Sequence, residues 1–165
     1  MTREWERVSE AERQVILPFL TDVPVRIASI ARALGVEVKS ATLKPRISGQ
    51  IQRSETSASG YRIRVNRHEA ATRQRFTIAH EIGHYLLHRD AIGDGIEDTI
   101  LYRSTLSDRR EAEANKMAAE LLMPRDRVLA SLQALGGRAT KAVASQMADQ
   151  FEVSEAAMKV RLGIA

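Results

Sequence analysis

His80, Glu81 and His84 carry the first chemistry legible in this chain: in the run His80-Glu81-Ile82-Gly83-His84, two imidazoles stand four residues apart with a carboxylate between them. On an α-helix that interval stacks the two rings on one face and brings the intervening glutamate to the same side. Neutral imidazoles are donors suited to a divalent metal such as Zn2+, and a carboxylate beside them is a general base for water. His80 and His84 are therefore read as ligands and Glu81 as the catalytic acid-base. The bland alternative is a pair of core histidines bonded to backbone carbonyls, with Glu81 at the surface.

A catalytic zinc takes three protein ligands and keeps a fourth position open, so one ligand is still to be found. The chain has no cysteine, which restricts the search to imidazole and carboxylate. The longer metzincin pattern needs Gly at 87 and His at 90, where this chain has Leu87 and Asp90. His88 repeats the four-residue interval, but the helical face drifts by about 40° per step and leaves it about 80° from His80. It is read as a partner standing behind the ligands, or as structural.

Further on, Glu111, Ala114, Asn115, Ala118, Leu121 and Leu122 share one face of a second helix, and Arg109, Glu113, Lys116 and Glu120 fall on the other side. Glu111 is thus the inward carboxylate, and the alanines at 114 and 118 would let this helix approach the first one closely. Two readings of Glu111 stand side by side: a third ligand, or the third residue of a capping box with Asp108 as N-cap. Asn115, one turn on, would orient a ligand, bond substrate backbone or fill a helix contact.

These residues need a scaffold. Val25 to Leu34 has helical apolar spacing closed by Gly35, and three short segments, Val36 to Leu43, Gly49 to Arg53 and Tyr61 to Asn66, have strand character. Pro45, Gly49 and the Ser-rich turn from Ser54 to Gly60 separate them, which predicts an antiparallel meander. Ala70 to about His88 is helical and apolar nearly all round, the signature of a buried helix. A polar loop with Gly93 and Gly95 follows, then a helix from about Asp108 to Met123. The last third is helical at roughly Arg125 to Leu135, Lys141 to Phe151 and Ser154 to Leu162, with Ser154 as N-cap.

The 165 residues are the length of one ordinary domain, with no repeat, low-complexity tract or linker. The apolar run from Val15 to Leu20 is far too short to span a bilayer and contains Pro18, so the expectation is a cytoplasmic protein with no membrane partner. A net charge of +4 permits a polyanionic partner without demanding one. Arg62, Arg64, Arg67, Arg73, Arg75, Arg109 and Arg110 are spread along the chain and read as a solvated basic face.

The run Arg75-Phe76-Thr77-Ile78-Ala79-His80-Glu81-Ile82-Gly83-His84-Tyr85-Leu86-Leu87-His88, followed by Glu111-Ala112-Glu113-Ala114-Asn115 and Ala118-Ala119-Glu120-Leu121-Leu122-Met123-Pro124, resembles the ImmA/IrrE family of metallopeptidases. The resemblance extends from about Val25 to Leu162. It implies an α+β, minimal zincin-like domain occupying residues 1–165, with a small antiparallel three-stranded sheet packed against a mostly helical body and a helical part at about 125–165. It also implies His80, His84 and Glu111 as ligands of Zn2+, or of Mn2+, which suits the same donors, and Glu81 as the catalytic acid-base. Characterised members cleave a helix-turn-helix repressor of the Xre type and relieve repression of stress or mobile-element genes, so the implied partner is such a repressor.

Peptide hydrolysis also needs a donor for the developing oxyanion, and Tyr61, Tyr85, His88 and Asn115 are the candidates. The competing reading, from a different functional class, is a non-catalytic DNA-binding or metal-binding regulatory partner protein. It draws on the basic balance and on helix-turn-helix-like stretches at Val25 to Val36 and Ala142 to Leu162. Direct nucleic-acid binding is disfavoured there by Glu155, which sits where a phosphate-binding group would be useful.

Overall fold

A computed structural model describes residues 2–99 and 107–164. Two short helices that the apolar periodicity did not reveal open the chain: α1 (Arg3–Arg7) and α2 (Glu10–Ile16), with Thr2 and Ser9 as their respective side-chain N-caps. Each offers only one or two apolar residues to the core, Trp5 from α1 and Ile16 from α2, too few to generate a helical pattern. A 3-10 turn at Leu17–Thr21 carries the Pro18 segment. Next comes α3 (Ile27–Ala33), after which Gly35, at φ +82°, makes the left-handed exit expected of it.

Four strands follow: β1 (Glu37–Ala41), β2 (Ile47–Arg53), β3 (Tyr61–Asn66) and β4 (Gly95–Thr99), in the spatial order β1-β3-β2-β4. The expected three-stranded antiparallel meander is corrected in two respects. β3 inserts between β1 and β2, so that β1 runs parallel to it, with Val38 opposite Ile63, while β2 and β4 pair antiparallel. The stretch read as a polar loop around Gly95 supplies the fourth strand.

The mixed order has a local cause in Asn66. Its buried amide Nδ2 donates to Ile47 O at 2.9 Å and reaches Leu43 O and Lys44 O at 3.5 Å, holding the β1–β2 connection as it crosses the end of β3. Strand β4 escapes notice because Ile96 is its one clear apolar, inward residue. Gly95 lets it lie close to β2, where a Cβ would stand 3.2 Å from Gln52 Cβ.

Tyr61, Ile63 and Val65 alternate inward with Ile51 and Ile96 against one helix layer. The other face is polar, with Arg62 paired to Glu37, Arg64 to Gln50 and Gln50 to Glu97. Helix α4 (Ala71–Leu87) lies on β2 and β3, and residues 77–86 are all buried, as its nearly all-round apolar sequence requires.

Helix α5 (Asp108–Leu122) packs along α4, and α6 (Arg125–Ala134), α7 (Lys141–Phe151) and α8 (Glu155–Leu162) complete the body. Thr140 and Ser154 cap α7 and α8. Arg75 of α4 donates to the Phe151 and Glu152 carbonyls at the end of α7. The apolar residues of both helix-turn-helix-like stretches, among them Ile27, Ile30, Ala144, Met147, Phe151 and Met158, belong to the core. No helix among the described residues is long and apolar enough to cross a membrane.

Candidate metal centre

The i, i+4 interval on α4 stacks His80 and His84 with ring centroids 4.6 Å apart and ring planes nearly perpendicular. Gly83, between them, faces α5. A Cβ there would stand 3.0 and 3.1 Å from the backbone of Ala114, so the helices touch where two small residues meet. This close approach delivers Glu111, in the first turn of α5, to the imidazoles. Glu111 Oε1 lies 3.2 Å from His80 Nε2 and 3.1 Å from His84 Nε2. The N-cap of α5 is Ser107, which accepts from Arg110 N, so the capping-box reading with Asp108 as N-cap does not hold.

Two imidazole nitrogens and a carboxylate oxygen thus lie within 4.8 Å of one another. Bonds of about 2.0–2.1 Å at a tetrahedral zinc place neighbouring donor atoms about 3.3–3.4 Å apart, close to the 3.1 and 3.2 Å that separate Glu111 Oε1 from the two imidazole nitrogens. The donor set fits the ion. Burial works against charge on Glu111, but its hydrogen bonds with His80 and His84 more than offset this and hold the carboxyl well below its ordinary range. It is therefore an anion, as a ligand must be.

Residues 31–163 match the IrrE N-terminal-like domain of peptidase family M78. The chain belongs to the ImmA/IrrE family. It is a member of a family of metallo-endopeptidases, and His80, His84 and Glu111 form its candidate metal site. No curated protein matches the sequence.

The remaining surroundings of this ImmA/IrrE site divide into a floor and a set of supports. Glu81 is fully buried at the floor, where α4 crosses β2. A Cβ at Gly49 of β2 would stand 2.4 Å from Thr77 Cγ2, 3.0 Å from Arg64 O and 3.5 Å from Glu81 Oε2. Gly49 is therefore what lets the sheet approach the motif helix beside its carboxylate.

Among the supports, Asn115 Oδ1 lies 2.7 Å from His80 Nδ1 at an exposed rim of the site, so of the roles considered for it, orienting a ligand is the one the contact fits. His88, buried, lies with Nδ1 3.0 Å from His84 Nδ1 and Nε2 2.9 Å from Glu113 Oε1. Burial pushes the His88 imidazole below its ordinary pKa, against the opposing pull of Glu113.

Tyr61 has its ring contact with the helix at Tyr85, edge-on with centroids 5.7 Å apart, and Tyr85 projects from the side of α4 away from His80 and His84. Gly49 and Glu113 were missed by sequence reasoning. Gly49 looked like strand punctuation, and Glu113 looked outward because helical angles alone do not show how far a glutamate reaches past its own helix.

Proposed function

We propose that this ImmA/IrrE protein is a zinc-dependent endopeptidase that cleaves a helix-turn-helix transcriptional repressor of the Xre type. The observation that carries the chemistry is the convergence of His80 Nε2, His84 Nε2 and Glu111 Oε1 on one point, with Glu81 buried one residue from the first ligand. Zn2+ held by these three side chains would supply Lewis-acid polarisation of a peptide carbonyl and a lowered pKa for water. Glu81 accepts the proton of the attacking water and returns it to the leaving amine nitrogen. The repressor as substrate rests on the family resemblance.

Extended substrate backbone adds to the outer edge of β4. Among the described residues β4 is an edge strand, and its Asp98 pairs with Gly49, the residue beside Glu81. Strand addition grips a peptide through its main chain and leaves sequence choice to side-chain pockets. Proline placed in turn at the residues flanking the scissile bond is expected to abolish cleavage at alternate positions. Uniform cleavage across that scan would count against this docking mode.

The deciding experiment combines elemental mass spectrometry with cleavage assays on Xre-type repressors. Wild-type protein supplied with zinc should hold about one ion per chain and cut one of them, and a chelator should stop it. Glu81→Gln should retain the ion and lose cleavage. Turnover by Glu81→Gln, or a wild type that takes up no zinc, would sink the proposal.

A further inference from the structure

Behind His84 the side chains form a line that leaves the metal site and ends at the N-terminus of the chain. His84 Nδ1 lies 3.0 Å from His88 Nδ1, His88 Nε2 lies 2.9 Å from Glu113 Oε1, and Glu113 Oε2 forms an ion pair with Arg7 of α1. His84 is fully buried, His88 nearly so, and Glu113 is partly buried. The contact between the two imidazoles is therefore made out of water, where a mismatched donor or acceptor is costly, while the line opens to the surface at Arg7.

The hydrogens along this line can be placed by elimination. Glu113 Oε2 is paired with the guanidinium of Arg7, and a carboxylate in such a pair offers acceptors on both oxygens, Oε1 toward His88 included. An ionised carboxylate only accepts, so His88 must donate from Nε2. A neutral imidazole that donates from Nε2 accepts at Nδ1. With a metal at the site, His84 must then donate from its own Nδ1 and offer the lone pair of Nε2 to the ion, in place of the hydrogen bond this nitrogen shares with Glu111 Oε1. The opposite order would put the His84 proton on Nε2, where it would block the donor atom.

We infer that His88 and Glu113 are positioning residues that fix His84 in its metal-binding tautomer, with Arg7 of α1 clamping the far end of the line; this rests on His84 being a metal ligand. His80 is served separately by Asn115, so the two ligands have independent supports. Arg7 lies outside residues 31–163, the part of the chain that matches the family. Lys116, which pairs with Glu4 at 3.7 Å, helps seat α1 on α5 beside it. The N-terminal segment thereby becomes part of what sets the metal affinity.

The test is zinc affinity by chelator competition on the full chain, read with the imidazole N–H proton of His84 in the zinc-loaded protein by NMR. Removing a support of this kind weakens metal binding by about 10–100-fold. His88→Leu should show that loss, together with loss of the protected downfield Nδ1–H signal. His88→Asn keeps an acceptor at the place of Nδ1 and should recover most of the affinity and the signal. Glu113→Leu leaves every imidazole in place and should reproduce the loss, which covers the case in which His88→Leu fails to fold.

Wild-type affinity in Glu113→Leu, or His88→Asn no better than His88→Leu in both readouts, would overturn the inference while leaving the peptidase reading intact. A wild type that binds no zinc would overturn both.

Discussion

Gly49→Ala tests how tightly the sheet is seated on the motif helix. The added methyl carbon would stand 2.4 Å from Thr77 Cγ2 and 3.0 Å from the Arg64 carbonyl oxygen, against a comfortable carbon–carbon contact of about 3.5–4.0 Å. Thr77 is buried and β-branched, so it has little rotamer freedom with which to give way. The carbonyl belongs to the β2–β3 ladder and moves only with the strand.

The shortfall of about 1 Å at Thr77 places the cost in the upper part of the overpacking range, about 2–3 kcal/mol. In a chain of this size that is a fall in Tm of roughly 4–12 °C. Urea unfolding of metal-free protein should show a lower midpoint at unchanged slope. Thr77→Ser deletes Cγ2, so the double variant Gly49→Ala/Thr77→Ser should recover about half the loss, a coupling expected only of residues in contact. A wild-type midpoint for Gly49→Ala, or strictly additive effects in the double variant, would refute this account of why glycine stands there.

Asn66→Ala removes the amide that holds the β1–β2 crossing and should cost about 1–3 kcal/mol in the same unfolding assay; unchanged stability would mean that the connection holds itself. Tyr85 is pushed above the ordinary phenol pKa by burial, with Arg89, stacked 3.9 Å over its ring, opposing the shift. A folded pKa above the unfolded value of about 10 means that its contribution to stability is complete below pH 10 and is lost as pH rises through the folded value. Ultraviolet titration should therefore find one phenol ionising late, absent in Tyr85→Phe, and the alkaline loss of stability should shrink in that variant.

The legible and illegible parts of the molecule differ in a physical way. Helix α4 could be read because a buried helix writes its apolar content on every side, and His80, Glu81 and His84 because their spacing is set by the helix itself. Glu111 could be narrowed by its helical face, although a face alone did not separate a ligand from a cap. The parallel pairing of β1 with β3 could not be read, since it depends on Asn66 meeting three carbonyls more than eighteen residues away in sequence. Strand β4 was lost for want of apolar residues, and α1 and α2 for their shortness. Gly49 and Glu113 owe their places to contacts between elements, which no local pattern records.

The insertion of β3 between its two predecessors also bears on the order in which the molecule can assemble. Strands β2 and β3 are the one pair that is adjacent both in sequence and in the sheet, and α4 follows β3 directly and packs on both. A β2–β3–α4 unit needs only short loop closures, so it is expected to form before β1 and β4 join it at opposite edges. That early unit already contains Gly49, Thr77, His80, Glu81 and His84. That unit would hold both histidines and Glu81 before Glu111, the supports on α5 and Arg7 of α1 arrive, and amide hydrogens of β2, β3 and α4 should be the slowest to exchange. The metal-binding capacity of the molecule is then expected to be completed by the docking of α5, which brings Glu111 to the two histidines.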